Sequence, residues 1–471
     1  MSTRAATALV SAPQPLTGWG RTAPAMASVN EVSAAGAPAL LREAGERGAL
    51  VRGLGRSYGD AAQNSGGMVL RLAAAAGDVL LDAAAGTAVV PAGLSLGELL
   101  QLVLPHGFFV SVLPGTMHVT VGGAIASDIH GKNHHRDGSF GSSVESLRLL
   151  LADGTVESLG PDAAPAQAAL FWATVGGMGL TGIVLDATLR LLPVETSRMS
   201  VDTTRIGDLD ALMAAMSDSD HRYRYSVAWI DLVAKGAHLG RSILTNGDHA
   251  TLDQLSGRAS GAPLAFEPRQ LVSIPPVIPP GGLLNHLSVA AFNELWYRKS
   301  PRRKVGQLQP IGFYFCPLDL VGSWNRFYGR GGLLQYQFVV PFGEETTLRA
   351  VIERLVASGT ASFLAVLKRF GPSNPAPLSF PTAGWTLALD VPAGARRGLG
   401  EMLHELDHLV LDAGGRHYLA KDSHATPDVL RRGYPRLGEW QAVRAAADPH
   451  GLWQSDLARR LGLLDASRTE D

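Results

Sequence analysis

Over the first 190 residues apolar and polar positions alternate in short runs, and Gly or Asp turns end each run before a helical period can establish itself. Residues 49–52, 68–71, 88–90 and 147–152 are predicted strands, and Asp153-Gly154 closes a hairpin from the last of these into Val156–Leu159. Ser95 stands as N-cap before periodic leucines that predict a helix to Leu104, and Pro165–Thr174 is predicted as another. No regular strand–helix–strand alternation is visible, so this part reads as an α+β domain with many short strands.

From Met199 the pattern changes. A strand (200–203), a helix (207–217) and a strand (225–232) are followed by a second, similar unit: a strand (334–341), a helix (344–357) and a strand (362–368). A further strand (385–391) and a long amphipathic helix (393–411) come next. Two such halves predict one broad, largely antiparallel sheet with helices on one face, able to wall off a bulky substrate. The tail from Arg416 is predicted mostly helical, with Thr426 capping a helix over 427–432 that starts on Pro427, and a second helix over 437–447.

Between the halves, residues 271–292 carry Ile274-Pro275-Pro276-Val277-Ile278-Pro279-Pro280, where the prolines forbid a helix or a central strand although the residues between them are apolar. Arg298, Lys299, Arg302, Arg303 and Lys304 follow. This is either a surface loop followed by a solvated charged face, or a mobile lid that rests its apolar side on anionic lipid.

A chain of 471 residues exceeds one ordinary core and predicts two or three folded units. With 41 Lys and Arg against 42 Asp and Glu, the net charge of -1 supplies no basic field for nucleic acid. The single Cys316 excludes an intramolecular disulfide and a multi-cysteine metal site. Residues 1–14 are small-residue rich, lack a signal-peptide core and read as a disordered leader. Gly, Pro or charge interrupts every apolar stretch before it could span a bilayer.

The candidate chemistry lies in four glycine-rich segments. Gly122-Gly123-Ala124-Ile125-Ala126-Ser127-Asp128 runs into Ile129-His130-Gly131-Lys132-Asn133-His134-His135, and such loops bring backbone N–H groups against a large phosphate-bearing ligand. Arg52-Gly53-Leu54-Gly55-Arg56-Ser57-Tyr58-Gly59-Asp60 has GxGxxxG spacing with no helix-forming run after it, which argues against a nicotinamide site and for an anion-binding nest. Pro114-Gly115-Thr116 and Gly176-Gly177-Met178-Gly179 through Gly182-Ile183 complete the set. Asp128, His130, His134, His135 and Asp137 are also a metal-ligand type of cluster, although they lack the helical or cross-strand spacing that paired ligands use.

In this order the motifs resemble the vanillyl-alcohol-oxidase-type FAD flavoproteins of PCMH fold. More narrowly they resemble the decaprenylphosphoryl-β-D-ribose 2′-oxidase family of actinobacterial arabinan synthesis. The narrower likeness includes Trp324-Asn325-Arg326, Leu334-Gln335-Tyr336-Gln337-Phe338, Leu367-Lys368-Arg369-Phe370-Gly371-Pro372 and Tyr418-Leu419-Ala420-Lys421-Asp422-Ser423. The resemblance implies an FAD-binding domain in two pieces (15–196 and a helical 416–471) around a substrate domain (197–415) with a large antiparallel sheet, and a lid at 271–304.

The activity implied is oxidation of the ribose 2′-hydroxyl of a polyprenyl-phosphate sugar to a ketone, which an NAD(P)H-dependent short-chain reductase would then reduce. The protein would work peripherally at the plasma membrane, on an anionic surface. FAD would be held non-covalently by Arg52, Gly53, Gly55, Arg56, Ser57, Tyr58 and Gly59, by Gly115 and Thr116, and by Gly122, Gly123, Ala126, Ser127, His130 and Gly131. Gly177, Gly179, Gly182, Ile183 and Tyr418 would complete its site.

Lys421, His130 and Tyr58 are the implied catalytic residues; Lys421 would either accept the hydroxyl proton or pair with a phosphate or flavin oxygen. Lys132, Gln337, Lys368, Thr386, Ala388 and Lys421 would line the substrate pocket. A flavin oxidase of a free sugar, alditol or lactone fits the FAD loops equally, and a non-enzymatic binding protein would leave Lys421, Lys368 and Gln337 no reason to converge. The family often has cysteine in Gly-Trp-Xaa-Xaa-Cys-Xaa-Asp, where this chain has Gly384-Trp385-Thr386-Leu387-Ala388-Leu389-Asp390. Thiol-directed inhibitors aimed at that pocket are therefore expected to leave the protein unmodified; intact-mass spectrometry showing a pocket adduct would contradict this.

Overall fold

The largest element is an eight-stranded, wholly antiparallel sheet. Its strands run in the order Arg303–Pro310, Arg198–Ile206, Ser242–His249, Tyr225–Ile230, Ala365–Phe370, Gly384–Pro392, Leu333–Pro341, Arg416–His417. The two predicted strand–helix–strand halves are present and join in the middle, where Ala228 faces Leu367 and Trp229 faces Val366. This is a computed structural model, and it describes residues 10–464 apart from 75, 269, 280–281, 361 and 395–397.

Strand residues alternate between faces, and here the alternation separates two environments. Ala228, Ile230, Tyr336, Phe338, Val340, Ala365, Leu367, Leu387 and Leu389 point to the helices Leu209–Ser219, Glu345–Ser358 and Leu399–Asp412, which bury leucines in the same core. A fully buried leucine contributes roughly 1.5–3 kcal/mol, so this face alone anchors the sheet. The opposite face is left free to line a cavity.

Two smaller sheets and a two-stranded parallel pair, Val272–Ser273 with Val321–Gly322, form the remainder among the described residues. One has the order Pro13–Leu16, Ala25–Val32, Met68–Leu72, Ala49–Val51; the other joins Leu80–Asp82, Thr87–Pro91, Ile183–Pro193, Val144–Leu150 and Val156–Leu159, with Phe108–Val110 also paired to Ile183–Pro193. The Asp153-Gly154 hairpin is as predicted, with Leu150 facing Val156. The cores are continuous, since Phe109, Val112 and Leu113 cluster with Tyr225, Ile311 and Phe315 from the inserted segment.

Several expectations need correction. Of the predicted leader, residues 1–9 lie outside the described residues, but Pro13 and Gln14 are in a strand paired with Ala25–Val32. Met68–Leu72 pairs parallel with Ala25–Val32 and with Ala49–Val51, a crossover the reading missed because its helix, Ala37–Leu41, is only five residues long. The predicted lid is regular structure over much of its length. Its proline run ends at Pro280, after which Asn285 caps a helix, His286–Lys299, that stops before Pro301, and Arg303 and Lys304 belong to the edge strand of the large sheet. The helix predicted from Ala393 starts at Leu399, because Gly398 at φ 84° forms its N-cap; residues 395–397 lie outside the described residues. Its neighbouring strand starts at Ala365 instead of Ser362, whose hydroxyl donates to Leu364 O at 2.9 Å and bends the chain. The tail opens with a strand, Arg416–His417, before its helices.

The tail returns to the first glycine loop through Arg460. Its Nε and Nη2 donate to Asp60 Oδ2 and Oδ1 at 2.8 and 2.7 Å, and Nη2 also reaches Asp422 Oδ2 at 2.8 Å. Burial alone would raise the Asp422 carboxyl, but Arg460, His424 and the 424–425 backbone N–H groups hold it below its ordinary 3.8. Arg460→Met strands two largely buried carboxylates and is expected to cost about 3 kcal/mol, read as a lower thermal midpoint at pH 7. The Asp422 part of that deficit is complete above pH 3.8 and fades as the pH falls through its lower folded value. An unchanged midpoint at pH 7 would refute the clamp.

Candidate active site

A cavity of about 850 Å³ lies between the free face of the large sheet and the glycine loops. The sheet contributes Val227, Trp229, Thr245, Gln335, Gln337, Val366, Lys368 and Ala388, each on the side opposite the helices. The loops contribute Gly53, Gly55, Arg56, Ser57 and Tyr58, then Gly115 and Thr116, then Gly122 to Lys132 in part, with Gly179 and Gly182. Tyr418 and Lys421 close the wall beside Tyr58.

His130 sits at the junction. Its ring is edge-on to Phe370 at 4.8 Å, and it is tied to Gln337 Nε2 at 2.9 Å and Lys368 Nζ at 3.2 Å. Lys368 as an ammonium donates to Nδ1, which leaves the hydrogen on Nε2; Gln337 must then present its amide oxygen there, an exchange of its O and N positions. Burial, then the charges of Lys368, His134 and Lys421, push the imidazole well below its ordinary value, so it is neutral.

Three amines face the same space. Burial lowers Lys368 to about 7, helped by Lys132 and Lys421. Burial likewise lowers Lys132 to about 8; its Nζ donates to Tyr314 O and lies 4.2 Å from the Tyr314 ring centroid. Lys421 falls to about 8 by burial, opposed by Asp390, and its Nζ stands 4.2 Å from the Tyr58 ring centroid.

The loops are held by two carboxylates, one buried and one partly buried. Asp128, at φ 38°, accepts from Ser139 Oγ and Gly141 N at 2.8 Å, from Asn374 Nδ2 at 2.8 Å and from Ser379 Oγ at 2.5 Å. Asp319 of the inserted segment fastens Thr116 Oγ1 and Met117 N, both at 2.7 Å. Tyr418 donates to Ser127 O at 2.8 Å and stacks on Phe380.

Gly59, Gly177, Ile183 and Thr386 are not on the cavity wall. A Cβ on Gly59 would meet Asp422 O at 2.1 Å and one on Gly177 would meet Ala173 O at 2.1 Å, so both glycines serve backbone packing. Ile183 is core, and Thr386 donates to Phe338 O at 2.8 Å behind Gln337. Arg52 lines the wall but spends its guanidinium on Thr17 O and Ala62 O, both at 2.7 Å. The supposed metal cluster disperses: besides Asp128 and His130, His134 Nδ1 accepts from Gly371 N, His135 meets Tyr223 O and Asp137 accepts from Asn133. Among the described residues no group of three or more His, Cys, Asp or Glu side chains could hold a metal.

The sequence reading missed Gln335, Asp390, Arg71, Asp319 and Trp229. Strand parity would have found two of them, since Gln335 shares a face with Gln337 and Asp390 with Ala388.

The FAD binding domain family matches residues 26–160, and the D-arabinono-1,4-lactone oxidase family matches residues 387–461. The chain is 47% identical to a decaprenylphosphoryl-beta-D-ribose oxidase of Mycolicibacterium smegmatis, over 95% of this chain and 97% of that one. It is 43% identical to an uncharacterized protein of Streptomyces coelicolor over 79% of this chain and all of the other (100%). An alditol oxidase of a Streptomyces species is 29% identical over only 31% of this chain and 34% of its own.

The cavity suits FAD. Arg56 Nε and Arg71 Nε are buried on its wall without a partner, and a Cβ on Gly115 would point into open space. The glycines therefore divide. A Cβ on Gly53 would strike Thr120 Oγ1 at 2.3 Å, so that glycine is needed by the protein itself. Gly115→Val is expected to cut bound flavin at least tenfold while the apoprotein keeps its thermal midpoint within about 2 °C. Gly53→Ala should lower the midpoint with or without flavin. Flavin absorbance per protein and thermal unfolding of both forms check this; normal flavin in Gly115→Val would overturn it.

Proposed function

The chain belongs to the decaprenylphosphoryl-β-D-ribose oxidase family, and from that premise we propose that it oxidises the 2′-hydroxyl of a polyprenylphosphoryl-β-D-ribose to the 2′-ketone. It is an FAD-dependent oxidoreductase. The observation that carries the substrate class is the convergence of Lys132, Lys368 and Lys421 on one cavity. A neutral polyol gives those amines nothing to neutralise, whereas a phosphodiester does. Phe292 and Trp296 on the same wall lead to a surface where Leu287 and Leu295 are 80% and 67% exposed, which suits a prenyl chain.

Bound FAD supplies the hydride acceptor. Arg56, Arg71 and the glycine loops would hold its phosphates, and Lys132 and Lys368 the substrate phosphate or flavin oxygens. Gln337, fixed by His130, is placed for a sugar hydroxyl, and Lys421 takes the proton of the reacting hydroxyl. Both His130 nitrogens are engaged, which supports non-covalent FAD, released when the protein is precipitated in acid.

The product ketone requires a reductase to reach the arabinose epimer, so the enzyme would perform the first half of an epimerisation for cell-wall arabinan. Exposed Leu271, Val277 and Leu287, with Arg298 to Lys304 nearby, support peripheral contact with an anionic membrane surface. Among the described residues no helix is long and apolar enough to cross a membrane.

Anaerobic mixing with a short-chain prenylphosphoryl ribose should bleach the flavin absorbance. Bleaching by a free polyol or lactone alone would keep the flavoenzyme and replace the substrate. Because burial lowers Lys421 to about 8, its neutral form grows as the pH rises, so kcat/KM should climb through about pH 8 and level off. Lys421→Met should lose this limb and about 10²–10⁴ in kcat; a retained limb would assign the base elsewhere.

A further inference from the structure

On the strand Gly384–Pro392, Asp390 shares the cavity-facing parity of Ala388, yet its carboxyl is fully covered, with 0% exposed. Gln335 lies directly across and covers it. Gln335 Nε2 donates to Asp390 Oδ1 at 2.6 Å and to the Tyr58 hydroxyl oxygen at 3.1 Å. The Tyr328 hydroxyl donates to Asp390 Oδ2 at 3.4 Å. Lys421 stands over the ring of the same Tyr58, so carboxyl, amide, phenol and amine form one continuous chain into the cavity.

Such a carboxyl is expensive unless a cation offsets its charge, and Gln335 and Tyr328 carry none. The titratable groups around the chain are Tyr58 and Tyr328 beside the carboxyl, Arg56 beside Tyr58, and Lys368 and His130 on the far side of Lys421. The phenols are pushed up by burial and stay neutral. Lys421 is the cation whose charge favours the ionised Asp390, and Asp390 is the anion whose charge favours the protonated Lys421. Burial presses both toward neutrality, raising the carboxyl and lowering the amine.

We propose that Asp390 is a positioning residue for the oxidation: through Gln335 and Tyr58 it fixes Lys421 at the reacting hydroxyl and supplies the counter-charge for the ammonium formed there. This rests on Lys421 as the proton acceptor. In the step, the carbinol C–H and O–H bonds break and the C=O bond forms. The C–H electron pair leaves as hydride to the flavin, and the proton moves to Lys421 Nζ. Without the carboxylate that last charge would form uncompensated in an apolar cavity, so the carboxylate acts most strongly where the ammonium develops.

The test is Asp390→Asn, which keeps the shape and a hydrogen bond to Gln335 but removes the charge. Loss of the counter-charge lowers the proton affinity of Lys421, so the pH limb of kcat/KM should move to lower pH by about one unit. kcat should fall at least about tenfold, with KM changed less than about threefold, and Asp390→Glu should restore the limb. Flavin content and thermal midpoint are measured in parallel. A loss of rate that only follows lost flavin, with the limb unmoved, would make Asp390 structural and overturn the proposal. Should Asp390→Asn not fold, Gln335→Leu severs the bridge with the charge retained; a raised carboxyl then weakens the counter-charge and the limb should shift the same way, whereas an unmoved limb refutes the link. Lys421→Met separates the two readings. If it keeps the limb, the proton acceptor is misassigned; if it loses the limb while Asp390→Asn keeps it, only the role of Asp390 fails.

Discussion

Lys132, Lys368 and Lys421 share one mostly apolar chamber, and the burial of three amines, sharpened at Lys368 by the charges of the other two, is the constraint around which the site is organised. Glu31 lies on the wall directly across from Arg71 on the neighbouring strand, in an exposed position. Each amine is instead pressed toward its neutral form, and the chamber holds a deficit of negative charge that an anionic ligand removes. The same desolvation that makes the site costly to fold makes an amine able to accept a proton near neutrality. Stability and reactivity are here two sides of one burial.

The fold delivers these groups by strand parity. Leu367 and Lys368 are neighbours in sequence, yet one joins the helix-covered core and the other enters the chamber. Tyr336 and Gln337 divide in the same way. A slip of one residue would put leucine or tyrosine against the ligand and lysine or glutamine into the core, so the register is fixed from both faces. The loops opposite are tied down by carboxylates, the buried Asp128 within its own loop and Asp319 across from the insert. Rigid groups thus meet from two sides.

What the chain disclosed in advance was whatever depends on local order. The two halves of the large sheet, the Ser95 and Thr426 caps, the Asp153-Gly154 hairpin and the glycine loops all carry their signals within about ten residues. The misplaced readings concern long-range causes. Gly59 looks like a ligand-cradling glycine, but its missing Cβ makes room for Asp422 O, a partner hundreds of residues away in sequence. Parity puts Asp390 on the face of Ala388, but its pairing with Gln335 becomes visible only once register brings the two strands together. The apolar and basic stretch was legible as unusual, but composition did not separate the helix His286–Lys299 from the strand Arg303–Pro310.

The core that runs from Phe109 and Leu113 into Tyr225, Ile311 and Phe315 has a mechanical consequence. Two bodies that share an interior cannot swing apart as hinged halves without opening that interior to water. Entry to the chamber is therefore confined to its rim, over a frame that stays shut. A substrate would thread in edgewise, and the enzyme behaves less like a closing jaw than like a rigid sleeve.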